Sequence, residues 1–225
     1  QLYYNTSSLD WVNQEVITVT DITSSHGITF IGDQVDLSVD DGLWLDDLSS
    51  GTVTRNTTNQ TIDFSVNSGV TGYANTTHTI SSWIYSQDFE MKTRIASYSS
   101  DSDDGLYFLI TNSRLSTPYI GLKVTSAGNV NCETNNGAGS SVNVSNILAG
   151  QGWLRVVVKG PVVYAYAGVG SSGNQPTIWT PCGNVLYSSG FVSPWTTLRM
   201  MGYRNSAISS ANLTISLDKI HYVNI

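Results

Sequence analysis

The sequence predicts an all-β protein, an antiparallel two-sheet β-sandwich of the jelly-roll kind, and three observations carry that prediction. Period-two alternation of apolar and polar residues dominates the 225-residue chain, with no convincing 3.6-residue amphipathic stretch. Short runs rich in Val, Ile and aromatics are separated by Gly, Asn, Asp and Ser about every 8–12 residues, the punctuation of a sandwich. Composition agrees: 31 Ser, 24 Thr and 18 Asn make up about a third of the chain, while only 12% of residues are charged. That excludes a coiled coil or long-helix protein, and 23 aromatic residues with many aliphatics exclude disorder.

The elements follow in order. Residues 1–25 form a polar, then β-branched N-terminal strand or extension, and 26–225 form the sandwich as one domain. Alternation predicts strands over 15–20, 27–31, 34–38, 52–55, 61–66 and 79–85. In 88–97, Phe89, Met91, Thr93 and Ile95 share one face and Glu90, Lys92 and Arg94 the other. Strands over 105–111, 119–125, 129–132 and 142–145 come next. Strands 154–158 and 162–167 flank Lys159-Gly160-Pro161, a tight hairpin turn, and 196–203 and 213–223 close the chain. Trp83 and Trp153 fall within strands and are expected in the core.

Charge narrows the partners. The net charge is −7, which excludes an electrostatic grip on nucleic acid. It is unevenly spread: residues 1–104 carry −12 and residues 105–225 carry +5. Complementary charge and a spare N-terminal strand together predict self-association. No apolar run approaches the roughly 18 residues of a membrane span. The chain starts at Gln1 rather than Met, as expected of a segment processed at its front, and an extracellular or particle-surface location follows from the small-polar bias.

Cys132 and Cys182 lie in no metal-binding spacing and are expected to form a disulfide. It would close a loop of about 51 residues and contribute about 4 kcal/mol. N-x-S/T sequons at Asn5, Asn56, Asn59, Asn75, Asn143 and Asn212 are candidate glycosylation sites on turns and strand edges.

Three stretches resemble the concanavalin A-like lectin/glucanase superfamily, nearest to its laminin G-like branch. Asp88-Phe89-Glu90-Met91-Lys92-Thr93-Arg94-Ile95 followed by Gly105-Leu106-Tyr107-Phe108-Leu109 is similar to two successive inner strands. Gly152-Trp153-Leu154-Arg155-Val156-Val157-Val158-Lys159-Gly160 with residues 162–167 resembles the Trp-led hairpin. Ile215-Ser216-Leu217-Asp218-Lys219-Ile220-His221-Tyr222-Val223 resembles the closing strand. The resemblance covers roughly residues 60–225. It implies a two-sheet jelly roll, a fold that hosts lectins, hydrolases, lyases and structural modules alike.

Catalysis is not expected. A glucanase of this fold needs two carboxylates about 5 Å apart, and the E-x-D-x-x-E strand of laminarinase-type members is absent. Asp88 and Glu90 alternate onto one face but read as solvated strand residues, and His26, His78 and His221 are scattered. Asp101-Ser102-Asp103-Asp104-Gly105 is the candidate Ca²⁺ loop, with Asp101, Asp103 and Asp104 as ligands. The resemblance implies such loops, although a polar turn explains the same residues. Asp40-Asp41 and Asp46-Asp47 around Trp44 are a second acidic loop. Trp179 and Trp195, in loop-like segments, are candidate sugar-stacking residues, with Asn174 and Gln175 as polar partners. Two functions lead, a structural subunit of an extracellular filament, sheath or coat, and a carbohydrate-binding module or lectin; a glycoside hydrolase or polysaccharide lyase is the third and least favoured.

Overall fold

The computed structural model describes residues 2–5, 10–13, 34–35, 44–79, 88–101, 104–111, 119–134, 137–160, 162–171, 173–186 and 197–224. Two antiparallel sheets face each other across one apolar core. Sheet I runs, edge to edge, β12 (Gly137–Asn143), β11 (Asn129–Thr134), β10 (Tyr119–Thr125), β9 (Asp104–Thr111), β16 (Thr197–Arg204), β7 (Gly72–Thr79) and β4 (Trp44–Leu48). Sheet II runs β15 (Thr180–Leu186), β14 (Val162–Val169), β13 (Gly152–Lys159), β8 (Phe89–Ser99), β17 (Leu213–Asn224), β6 (Thr61–Val66) and β5 (Gly51–Asn56). A short β3 (Gln34–Val35) pairs with β17, and β1 (Leu2–Asn5) with β2 (Asp10–Asn13) forms a separate two-stranded sheet.

Alternation explains the layers. Phe89, Met91 and Ile95 of β8, Leu154, Val156 and Val158 of β13, and Phe64 of β6 meet Leu106, Phe108 and Ile110 of β9 and Leu122 and Val124 of β10. All twelve are nearly or fully enclosed, each stabilising the fold by roughly 1.5–3 kcal/mol. Outward positions carry the polar residues that build the sites below.

Three strands, β4, β7 and β15, stand where alternation predicts none, while the strands expected over 15–20, 27–31 and, past Thr79, 79–85 lie outside the described residues. β7 reads Gly-Tyr-Ala-Asn-Thr-Thr-His-Thr, with Ala74 its one core apolar residue, yet it lies between β16 and β4. Its hydroxyls and imidazole have partners there: Thr76 Oγ1 donates to Asp46 Oδ1 (2.6 Å), and His78 meets Trp44 edge-on at 4.6 Å. Arg55 reaches across from sheet II to Asp46 (2.8 Å) and over the Trp44 ring. Asp46 is therefore an inter-sheet anchor and not part of a calcium loop; Asp47 accepts from Tyr73 Oη, and Asp40 and Asp41 lie outside the described residues.

Further expectations are corrected. No disulfide joins Cys132 to Cys182; both are buried thiols. Cys132 Sγ points across the core to the Val163 carbonyl and Cys182 Sγ to that of Thr180, so each sulfur has a local backbone acceptor. Burial pushes the Cys182 thiol up to about 11, which withholds the thiolate that oxidation needs. Asn75 is fully enclosed in central strand β7, so the folded chain presents no surface for a glycan there, whereas Asn59, Asn143 and Asn212 are exposed. Asn56 is half-buried, its Oδ1 accepting from the amides of Thr58 and Asn59; the Asn5 side chain is outside the described residues.

Candidate functional site on the outer face of sheet II

Register gathers the site from four neighbouring strands. Arg155 of β13 pairs with Tyr166 of β14 and Lys92 of β8, while Trp153 pairs with Arg94. Arg94 pairs in turn with Asp218 of β17, and Lys92 with His221. Antiparallel partners share a face, so Tyr164, Tyr166, Arg155, Glu90, Lys92, Arg94, Asp218 and His221 all project away from the core.

A bulge enriches this face. β17 alternates Leu213, Ile215 and Leu217 inward, then slips register against β8 between Asp218 and His221 before Ile220 returns to the core. Lys219 is the extra residue, in the left-handed region with φ 53°, an arrangement that costs about 1–2 kcal/mol for a residue with a Cβ. Asp218 and Lys219 thus both serve the outer face. Asp218 takes Arg94 in a two-pronged pair, with Nε at 2.7 Å, and this carboxylate raises the Arg94 pKa. Lys219 Nζ donates to the Gly173 carbonyl at 2.8 Å.

That last contact ties down the segment 170–179, which follows β14 and runs over the sheet. Gly173 (φ 78°) is in the left-handed region that favours glycine, and a Cβ there would stand 2.6 Å from Arg94 Nη1 and displace it. Lys92 Nζ donates to Gln175 Oε1 at 3.3 Å, and the Gly173 amide donates to Gln151 Oε1 at 3.2 Å. Trp153 is enclosed beneath this segment, on the outer side of the sheet rather than in the inter-sheet core where the sequence pattern put it.

At the centre, the Arg155 guanidinium lies 5.3 Å from the Tyr166 ring and 5.6 Å from the Trp179 ring. Glu90 holds it in place: Arg155 Nε donates to Oε2 at 2.8 Å, and Lys92 Nζ stands 2.5 Å from Oε1. One carboxylate between two cations leaves local positive charge. Burial, with Lys92 and Lys219 nearby, lowers the His221 pKa below its usual value. Tyr166 and Trp179 remain half-exposed, and Asn174 and Gln175 are exposed. The same face continues past Arg94 into a cavity of about 290 Å³ lined by Asn59, Thr61, Asp63, Ser97 and Ser216. Chemically this is a polar-aromatic platform: π faces for an apolar sugar face, amide groups and cationic donors for hydroxyls.

The structure brings together Trp179, Asn174 and Gln175 as one segment; Trp195 lies outside the described residues. Sequence reasoning missed Arg155 and Tyr166 as their partners, although counting back from the Lys159–Val162 pair at the hairpin turn gives Arg155 opposite Tyr166. Glu90 and Asp88 are not solvated: Glu90 is buried in its ion pairs, and Asp88 Oδ1 accepts from the Gly160 amide at 2.6 Å, closing the β13–β14 turn.

Two of the three expected calcium ligands, Asp101 and Asp104, are engaged by protein donors. Asp104 is fully enclosed, its Oδ2 accepting from Arg204 Nε (3.0 Å), Arg204 Nη2 (2.8 Å) and Ser100 Oγ (2.7 Å). Asp101 Oδ2 accepts from the amides of Ser210 and Ala211 and from Ser210 Oγ, which holds its pKa below the usual range. A guanidinium stands where the ion would be, and Asp103 lies outside the described residues. Among the described residues no group of three His, Cys, Asp or Glu converges.

No protein-family model matches this chain, and no curated protein matches it in sequence. Solved structures match its fold. Lectin II from Ulex europaeus is similar at 11% identity over 88% of this chain and 100% of that one, with a TM-score of 0.60. A legume lectin-like domain from Entamoeba histolytica gives 12% identity over 80% and 90%, TM-score 0.57. The exoplasmic/lumenal domain of VIP36 in its Ca²⁺-bound form gives 11% over 81% and 84%, TM-score 0.55. The architecture is a concanavalin A-like jelly roll, as the resemblance in sequence implied.

Proposed function

We propose that this chain is a non-catalytic carbohydrate-binding domain whose site is the outer face of sheet II around Trp179. The observation that carries the proposal is Arg155 between the half-exposed rings of Tyr166 and Trp179, edged by Gln175 and Asn174. Guanidinium contact fixes two aromatic faces before a ligand arrives, so little rotamer entropy remains to be lost on binding. Lectins of the same fold support the reading, and the Ca²⁺ in the VIP36 structure belongs to that protein; Asp101 and Asp104 here support no ion. No helix among the described residues is long and apolar enough to cross a membrane, and an extracellular setting is part of the proposal. Glycan-array binding that disappears on Trp179→Ala and weakens on Gln175→Ala is the expected result; a wild-type chain that binds no glycan overturns it.

Self-assembly into a filament, sheath or coat is a second reading, favoured by one observation. Strands β1 and β2 pair only with each other among the described residues, leaving a hairpin of the N-terminal extension (residues 1–25) able to add to another copy's sheet. Light scattering of the full chain and of a chain lacking residues 1–25 tests it: oligomers are expected only with the extension, and a monomeric full chain removes the reading.

A further inference from the structure

The outer face of sheet I brings together an amine, a carboxamide and an acid that nothing above uses. In the β10–β11 hairpin Lys123 stands directly opposite Asn131, and Glu133 follows two residues along β11, opposite Gly121. Val130 and Cys132 enter the core, so Lys123, Asn131 and Glu133 share the outer face. Gly121, the fourth corner of that block, carries no side chain to keep the acid from the amine. Opposite partners in an antiparallel pair have Cα atoms about 4.5–5.5 Å apart, a span that the four-carbon stem of a lysine covers. Lys123 Nζ rests over the Tyr107 and Tyr203 rings, 5.5 and 5.2 Å from their centres, and rotation among staggered torsions carries it to Asn131.

The block is poorly hydrated. Asn131 Oδ1 is enclosed and has no hydrogen-bond partner among the described residues, while the Asn131 side chain is hydrogen-bonded to Glu133. Burial raises the Glu133 pKa against the opposing pull of Lys123 and of that hydrogen bond. Burial also raises Tyr107, to about 12, and Tyr119, with Glu133 the next contributor to both, so two rings flank the acid. A carboxyl group disposed to keep a proton can donate it to the oxygen that lacks a donor, once the Asn131 amide is turned over. Such a bond polarises the carboxamide carbon, and an amine held opposite it is the matching nucleophile. A lysine that merely stacks on two tyrosines explains neither the unpartnered oxygen nor the acid beside it.

We propose that Lys123 and Asn131 form an isopeptide cross-link between β10 and β11, with Glu133 carrying the protons. The Lys123 ammonium passes one proton to the Glu133 carboxylate, and the freed amine attacks Asn131 Cγ. The Nζ–Cγ bond forms and the Cγ–Nδ2 bond breaks, while Glu133 relays a second proton from Nζ to Nδ2. Nδ2 leaves as ammonia, which takes the remaining proton from Glu133 and departs as ammonium. Nothing is oxidised or reduced, and the inference stands without the carbohydrate-binding reading. Mass spectrometry of the full chain, produced without N-glycosylation, tests it. The bond removes about 17 Da, and cyclisation of Gln1 would remove the same, so tryptic digestion must locate the loss. Between Arg114 and Arg155 the sole tryptic site is Lys123, which resists cleavage once bonded. Residues 115–155 are expected as one fragment about 17 Da light, with fragment ions placing the link between Lys123 and Asn131. Lys123→Arg and Asn131→Ala should each restore full mass and cleavage after residue 123, and Glu133→Gln should slow bond formation at least tenfold. Cleavage after Lys123 in the wild type with both fragments at full mass, or a loss in residues 115–155 that survives Asn131→Ala, overturns the proposal. A link formed as fast in Glu133→Gln overturns the part given to that acid.

Discussion

Replacing Arg204 with methionine would strand Asp104, and the structure sets the size of the effect. Both side chains are fully enclosed, and the guanidinium also donates to the carbonyls of Asn67 (2.8 Å) and Ala211 (2.9 Å). Removing one partner of a buried pair costs about 3–5 kcal/mol, because the remaining charge keeps its desolvation penalty without its counter-ion. Two backbone acceptors losing their donors add about 1 kcal/mol each where water cannot replace them. At roughly 2–4 °C per kcal/mol for a domain of this size, the combined loss of about 5–7 kcal/mol should lower the melting temperature of Arg204→Met by about 10–28 °C. Calorimetry on wild type, Arg204→Met, Asp104→Asn and the double variant measures it. The double variant should recover about 2–3 kcal/mol of the summed losses, since the pair couples directly. A single-variant loss below about 1 kcal/mol, or strict additivity, refutes the reasoning. The same scans decide the metal question. Calcium held by Asp101 and Asp104 would raise wild-type stability by about 2.7 kcal/mol at a hundredfold excess over its dissociation constant. We expect no shift between chelator and calcium, and a rise abolished by Asp104→Asn would overturn the pairing scheme.

Three further predictions follow from the titrating groups. His221, held below the ordinary 6.5 by burial and two lysines, resists a proton that the unfolded chain accepts. Stability should be full above pH 6.5 and fall as pH drops toward the folded-state pKa, and urea midpoints for His221→Gln should lose part of that slope. Tyr107, pushed up to about 12 by burial with Glu133 and Tyr119 nearby, should ionise well after an ordinary tyrosine. Stability from this group is present below pH 10 and lost as pH rises toward 12, and the late ultraviolet titration step should vanish in Tyr107→Phe. Denaturing alkylation without reductant should add two adducts, at Cys132 and Cys182, and native alkylation at neutral pH none; a single bridged species would refute the thiol assignment.

What the sequence made legible depended on how local the physics was. β6 and β10 have the bounds that alternation gives, and β8 divides its faces as expected. β7 was illegible because its stability comes from Asp46, Arg55 and Trp44, none of them neighbours in sequence. β15 hides behind Pro181 and Gly183, which signal a turn; it tolerates both as an edge strand that itself bulges at Cys182 against β14. The aromatic-in-loop rule found Trp179, yet the cation that organises it is visible only through strand register. The acidic loop shows the converse failure: Asp101 and Asp104 look like free ligands until Arg204, 100 residues from Asp104, folds against them.

The division of the chain into a −12 half and a +5 half takes a different meaning once the strands are interleaved. β8, from the acidic half, lies between β13 and β17, both from the basic half, and β7 lies beside β16. Glu90 meets Arg155, Asp104 meets Arg204, and Asp218 returns the exchange to Arg94. Part of the complementarity between the halves is thus spent inside one molecule. Added salt should screen the half-exposed pairs of sheet II modestly and leave the enclosed Arg204–Asp104 pair nearly untouched.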